Sequence, residues 1–128
     1  MAFYLDTSAF LKLLVTEAES PAMRAWFTTD RSCWSSQILV TEALRAGQRL
    51  GLDLEGVNQA LDAVSLVLPS AATFHGAGTV LPPALRSLDA LHMASAMELG
   101  SDLEAVVAYD ARLIESAQAA GLAVVSPA

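Results

Sequence analysis

Apolar, β-forming residues recur in five short blocks bounded by turn residues: Phe3-Tyr4-Leu5, Cys33-Trp34-Ser35, Leu66-Val67-Leu68, Val106-Val107-Ala108-Tyr109 and Val124-Val125. Each predicts a strand. Between nearly all of them the apolar positions change to helical spacing. Leu11, Leu14 and Val15 predict a first helix capped by Thr7 or Ser8, and Ser20-Pro21 supplies a cap and a first-turn proline for a second helix through Trp26 and Phe27. The stretch from Thr41 to Leu50 predicts a third, stopped by Gly51, and Leu54, Val57, Leu61 and Val64 a fourth. Phe74 to Val80 reads as a short helix. After the interruption at Leu81-Pro82-Pro83, Leu88, Leu91, Ala94 and Ser95 place a helix ending near Gly100, and Leu113, Ile114 and Ala117 another ending near Gly121.

This alternation predicts an α/β fold: a mainly parallel sheet of about five strands with helices on both faces. The 128 residues fit one domain spanning 1–128, with no linker, repeat or low-complexity segment. In open parallel sheets the functional crevice lies beyond the carboxyl ends of the strands. Asp6 and Asp110 each directly follow a strand block and so belong to that edge, whereas Glu42 and Asp89 must reach it from helices.

Composition narrows the class. With 54% hydrophobic and 16% charged residues the chain is too apolar for disorder, and some of the excess is available for an interface. No apolar run is long enough for a membrane span, and the N-terminus lacks a basic region and cleavage site, so a cytoplasmic protein is expected. Cys33 is the only cysteine, which excludes an intrachain disulfide and a cysteine-based zinc site and predicts a core residue. The net charge of −7 argues against a generic nucleic-acid binder, because such affinity comes from basic side chains neutralising phosphates. Any nucleic acid is met through a metal and a few local cations.

Four acids, Asp6, Glu42, Asp89 and Asp110, sit beside core segments. An ionised carboxylate loses hydration there unless it is paired, hydrogen-bonded or metal-bound. Only seven Lys and Arg stand against fourteen Asp and Glu, so a divalent cation is the natural missing partner. Mg²⁺ and Mn²⁺ prefer a few carboxylates, with water and substrate phosphate completing the shell. Clustered carboxylates without metal repel, raising at least one pKa, and a bound cation suits phosphodiester chemistry. Each acid also has a plainer reading: helix caps for Asp6, Asp89 and Asp110, and a solvated helix position for Glu42.

Tyr4-Leu5-Asp6-Thr7-Ser8-Ala9, the helical Glu42, Leu85-Arg86-Ser87-Leu88-Asp89-Ala90-Leu91-His92, Ala108-Tyr109-Asp110-Ala111-Arg112-Leu113 and the ending Gly121-Leu122-Ala123-Val124-Val125-Ser126-Pro127 follow one another along essentially the whole chain. In this order they resemble PIN-domain proteins of the VapC toxin type. The resemblance implies a PIN-like three-layer α/β/α fold and an Mg²⁺- or Mn²⁺-dependent endoribonuclease, with attack on the phosphodiester by metal-activated water. It implies a site and metal-binding set of Asp6, Glu42, Asp89 and Asp110, with Asp6 and Asp89 foremost as direct ligands, Glu42 and Asp110 binding metal, holding waters or orienting the nucleophile, and Thr7 or Ser8 bonding a ligand carboxylate. It also implies a small VapB-type antitoxin as partner, RNA as substrate and a homodimer. One departure is Ala108, where many relatives carry Thr or Ser two residues before the last acid, which leaves the role of Asp110 open.

Arg45 and Arg49 share a helical face with Glu42, and Arg86 and Arg112 flank Asp89 and Asp110. Arg45, Arg86 and Arg112 are candidates to grip RNA phosphates, with local salt bridges to the acids as the alternative. His92 reads as a structural, hydrogen-bonded histidine and His75 as a surface residue; Trp26 offers an interface anchor, though core packing is the simpler role. A phosphotransfer receiver or haloacid-dehalogenase-type phosphatase also gathers acids at a sheet edge, but each needs a late lysine, and Lys12 is the only one. Two other readings stay open within the fold: a non-catalytic interaction module and a PIN nuclease of RNA processing that is no toxin.

Overall fold

The computed structural model describes residues 1–128. Five parallel strands, β1 (Ala2–Leu5), β2 (Ser32–Ser36), β3 (Ser65–Val67), β4 (Leu103–Val107) and β5 (Val124–Val125), form one sheet in the order β3-β2-β1-β4-β5. Seven helices connect them: α1 (Thr7–Leu11), α2 (Ser20–Phe27), α3 (Ile38–Leu50), α4 (Leu54–Asp62), α5 (Ala71–Ala77), α6 (Ser87–Met97) and α7 (Ala111–Ala119). The expected α/β architecture is the one observed, and every pairing in the sheet is parallel. No helix is long and apolar enough to cross a membrane.

Consecutive residues of a strand face opposite sides, so a sheet covered on both sides needs apolar residues at every position. In register, Tyr4 pairs with Val106 and Leu5 with Val107. Tyr4 and Val106 join Met93, Leu113 and Ala117 in one cluster, while Leu5 and Val107 pack with Ala9, Met23 and Cys33 in another. A third cluster, Phe10, Leu39, Ala43, Val57, Leu61 and Val64, ties α1 to α3 and α4. Trp26 packs edge-on against Phe3 with ring centroids 5.1 Å apart. Cys33 is buried in the core as expected.

Several boundaries differ from those expected, for local reasons. Asp6, not Thr7 or Ser8, caps α1, accepting from the Ala9 amide. Ser20 is the first residue of α2 instead of its cap; its hydroxyl closes the preceding loop by accepting from the Glu17 amide and donating to the Val15 carbonyl. Helix α5 begins at Ala71 because Ser70 and Thr73 form a reciprocal capping box. Asp89 lies inside the first turn of α6 and caps nothing, the cap position being Arg86. Gly51 does end α3, at φ 71°, a conformation that a side chain disfavours.

The strand order places a topological switch point at β1. From it the chain runs to β2 and β3 on one side and later to β4 and β5 on the other. The connections leave the carboxyl ends of β1 and β4 in opposite directions and open a crevice there.

Candidate active site

Asp6 stands at that crevice because β1 ends one residue before it. Its amide donates to the Val107 carbonyl at 3.1 Å, which locks it to the end of β4. Its carboxylate is only 2% exposed, and Oδ1 receives both protein hydrogen bonds, from Ser8 Oγ at 2.6 Å and the Ala9 amide at 2.9 Å. Oδ2 receives none, yet it is not sealed away from solvent. Burial pushes the carboxyl up to about 6, against the opposing pull of the Ser8 and Ala9 bonds and of nearby His92, with Asp89 adding to the rise.

Ser8 is the joint of the site. While its hydroxyl donates to Asp6, its oxygen accepts from the amides of Tyr109 at 2.9 Å and Asp110 at 3.3 Å. One side chain thus ties the start of α1 to the turn between β4 and α7. Ala108, where a polar residue was wanting, is fully buried in the core cluster with Tyr4 and Val106; Ser8 supplies the polar contact to this turn instead. Ser8→Ala should cost about 1–3 kcal/mol, because it strands two amides and removes a donor from a buried carboxylate; urea unfolding of the two proteins measures it.

Asp110 caps α7, its Oδ1 accepting from the amides of Arg112 and Leu113 at 2.9 and 3.2 Å, and it is exposed. The cap role therefore holds for both Asp6 and Asp110, but a cap uses one oxygen and leaves the second free in each. Asp89 is partly buried; burial raises its pKa first, then the charges of Asp110 and Glu42, with His92 and Arg86 opposing.

Glu42 reaches the crevice from α3. Its Oε1 accepts from Thr7 Oγ1 at 2.7 Å and lies 2.7 Å from His92 Nε2. Burial pushes this carboxyl up, but the bonds from His92 and Thr7 outweigh it and hold it below the ordinary range. Thr7 and Ser8 thus bond one acid each, Glu42 and Asp6. His92 is 1% exposed and hydrogen-bonded on both ring nitrogens, and His75 lies on the surface.

No basic side chain pairs with Asp6, Asp89 or Asp110. The ion pairs are Lys12 with Glu17 and Glu19, at 3.4 and 2.7 Å, and His92 is hydrogen-bonded to Glu42. Lys12 is thereby engaged away from the acids. Arg45, Arg86 and Arg112 are exposed and form no salt bridge, so the local-bridge alternative is not what the structure contains.

The donor set fits a divalent cation of the Mg²⁺ type. Asp6 offers a buried carboxylate with an unused oxygen, Asp89 is its like-charged neighbour, and no cation of the chain neutralises either. The four acids are electrostatic neighbours but not a closed cage: no three acidic, histidine or cysteine side chains are gathered closely enough to hold an ion by themselves. Mutual repulsion keeps bare carboxylates apart, and Mg²⁺ keeps several waters in preference to an all-protein cage. A cavity of about 650 Å³ lies elsewhere, between α5, α6 and α7, lined by Val80, Met93, Met97 and Ala120 among others and by none of the four acids.

Comparison with known proteins gives the family of the chain. The PIN domain family matches residues 3–119, and the chain belongs to that family. Within it the chain is of the VapC toxin type. It is 38% identical over 127 residues to Ribonuclease VapC46 of Mycobacterium tuberculosis, covering 98% of each chain. It is 40% identical over 134 residues to Ribonuclease VapC35 of the same organism, covering 97% of this chain and 96% of the other. The fold is shared with the crystal structure of Mycobacterium tuberculosis VapC20, described as a Sarcin-Ricin loop cleaving toxin, at a TM-score of 0.74 and 19% identity over 98% of this chain and 99% of that one.

Proposed function

We propose that this protein is a metal-dependent endoribonuclease, the toxin of a VapBC-type pair, and that Asp6, Glu42, Asp89 and Asp110 form its active site. The observation that carries the reading is the buried Asp6 carboxylate, unpaired by any cation of the chain and with Oδ2 unspent, beside Asp89 at the switch-point crevice. Relatives named as ribonucleases over nearly the full chain support it. Asp6 and Asp89 would hold Mg²⁺ or Mn²⁺, with Glu42 and Asp110 completing the acidic wall. When bound, the cation supplies Lewis-acid activation of water and neutralises charge at the phosphate.

The chain's own residues do the rest. Ser8 holds Asp6 by Oδ1 and so leaves Oδ2 unspent, while Thr7 and His92 hold Glu42 by Oε1. The acids repel phosphate when no cation is present, which makes RNA engagement conditional on metal. Arg45, Arg86 and Arg112, free of salt bridges, provide phosphate contacts around the rim. Arg86→Ala is expected to raise the RNA KM several-fold and to make the salt dependence of binding shallower by about 0.7 in log–log slope, the single-strand value for one lost phosphate contact; anisotropy titrations from low to high KCl measure this.

A basic antitoxin segment suits the same crevice by charge complementarity and would order on binding. We propose such a VapB-type partner, a homodimeric toxin and action in the cytoplasm. The test is incubation of total cellular RNA with antitoxin-free protein in Mg²⁺, Mn²⁺ or chelator, beside a folded Asp89→Asn variant. Discrete metal-dependent fragments that vanish in the variant support the reading; no cleavage with either metal overturns it.

A further inference from the structure

The fully buried His92 has two short contacts that core packing does not require. Its Nδ1 lies 2.7 Å from Tyr4 Oη and its Nε2 2.7 Å from Glu42 Oε1, with Thr7 Oγ1 at 3.0 Å from the same nitrogen. Three elements meet in this chain: Tyr4 from β1, His92 from α6 and Glu42 from α3. The tautomer follows from counting hydrogens. An ionised Glu42 has only acceptor atoms, so a nitrogen at 2.7 Å must carry hydrogen, and that nitrogen is Nε2. On a neutral ring Nδ1 is then an acceptor, and the Tyr4 hydroxyl donates to it. Thr7 donates to the same Oε1.

Both donors fall on Oε1 and none on Oε2. The consequence is geometric: a carboxylate held by one oxygen by two groups on separate elements cannot rotate freely, and its other oxygen is the one left without a protein partner. Glutamate is the longest of the site's acids and comes from a helix with its own freedom, so it is the one that most needs holding. Asp6, by contrast, is held by its own turn.

We propose that His92 is a positioning residue for the nuclease site, with Tyr4 fixing its ring through Nδ1 and its Nε2–H fixing Glu42 by Oε1. This rests on the nuclease reading above. It makes Tyr4, His92 and Thr7 a supporting layer whose purpose is the direction of Glu42 Oε2, and it predicts that the donor matters more than the ring.

The experiment uses the full chain with His92→Leu, His92→Gln and Tyr4→Phe. Gln carries an amide N–H2 near the place of Nε2–H, whereas Leu fills the volume with no donor. For folded variants, His92→Leu should lower kcat about 10–100-fold with KM for RNA changed less than about threefold, and should weaken Mn²⁺ binding to the RNA-free protein by about tenfold, read by electron paramagnetic resonance. His92→Gln should recover most of both losses, and Tyr4→Phe, which leaves the ring in place, should show a smaller fall in kcat alone. Nitrogen-15 histidine spectra of the metal-free wild type should show Nε2 protonated. A His92→Leu protein with wild-type kcat and Mn²⁺ affinity, a His92→Gln protein as impaired as His92→Leu, or an unprotonated Nε2 would overturn the proposal. A wild type that neither binds Mn²⁺ nor cleaves RNA would remove the nuclease reading as well, and is told apart because the nitrogen spectra need neither metal nor RNA.

Discussion

Asp6→Asn is expected to abolish RNA cleavage while making the metal-free protein more stable. The two effects have one cause. Burial raises the Asp6 carboxyl from the ordinary 3.8 to about 6, so at neutral pH the folded chain carries a carboxylate that it disfavours. Between those two values the folded state binds more protons than the unfolded one, and stability therefore falls as pH rises through the window. Above it the penalty is fully present, on the order of 3 kcal/mol. Asn has no charge to desolvate and still offers an oxygen to the Ala9 amide and Ser8 hydroxyl, as a good helix cap does. Melting in chelator at pH 7 should rise by about 5–10 °C for the variant, and the gain should shrink near pH 4, where the wild-type carboxyl is already protonated in the fold. A variant less stable than wild type at pH 7 would show that the carboxylate is well compensated by the protein and needs no cation.

The second large effect is stabilisation by divalent cation. An ion that binds only the folded state stabilises by about 2.7 kcal/mol at one hundred times its Kd. Wild-type protein should therefore melt several degrees higher in Mn²⁺ or Mg²⁺ than in chelator. Asp6→Asn and Asp89→Asn should lose that increment, and Asp110→Asn should keep part of it because Asp110 is exposed and already engaged as a helix cap. Monovalent salt at equal ionic strength is the control, since general screening would stabilise all four proteins alike. An increment that survives in Asp6→Asn would place the ion elsewhere.

The fold was legible in the sequence because burial on both sides of a parallel sheet forces continuous apolar blocks, and all five blocks are strands. Boundaries depended on side-chain hydrogen bonds that residue type alone leaves undetermined. Ser20 has the chemistry of a cap, but the loop before α2 claims its hydroxyl. The Ser70–Thr73 box starts α5 three residues earlier than the apolar spacing shows. At the site, Asp6 and Asp110 could be placed on one edge because each follows a strand. The contacts between elements could not: Tyr4 and His92 are 88 positions apart and His92 and Glu42 50, and their meeting is decided by how α6 packs on the sheet against β2 and β4. His92 was visible as a residue three after Asp89, yet the same spacing serves any helical pair. Ser8 was legible as a helper of one acid, not as the joint between two loops.

The chemistry of the cleaved ends tests the carboxylate site most directly. Water attacking a phosphodiester with departure of the 3′ oxygen leaves a 3′-hydroxyl and a 5′-phosphate, whereas attack by the RNA's own 2′-hydroxyl, which needs no metal, leaves a 2′,3′-cyclic phosphate and a 5′-hydroxyl. Fragments made by the purified protein in Mn²⁺ should carry 5′-phosphates, label with oxygen-18 from water, and be absent with chelator or in Asp89→Asn. Cyclic phosphates formed equally in chelator and by Asp89→Asn would contradict a metal-dependent hydrolase built on Asp6 and its neighbours.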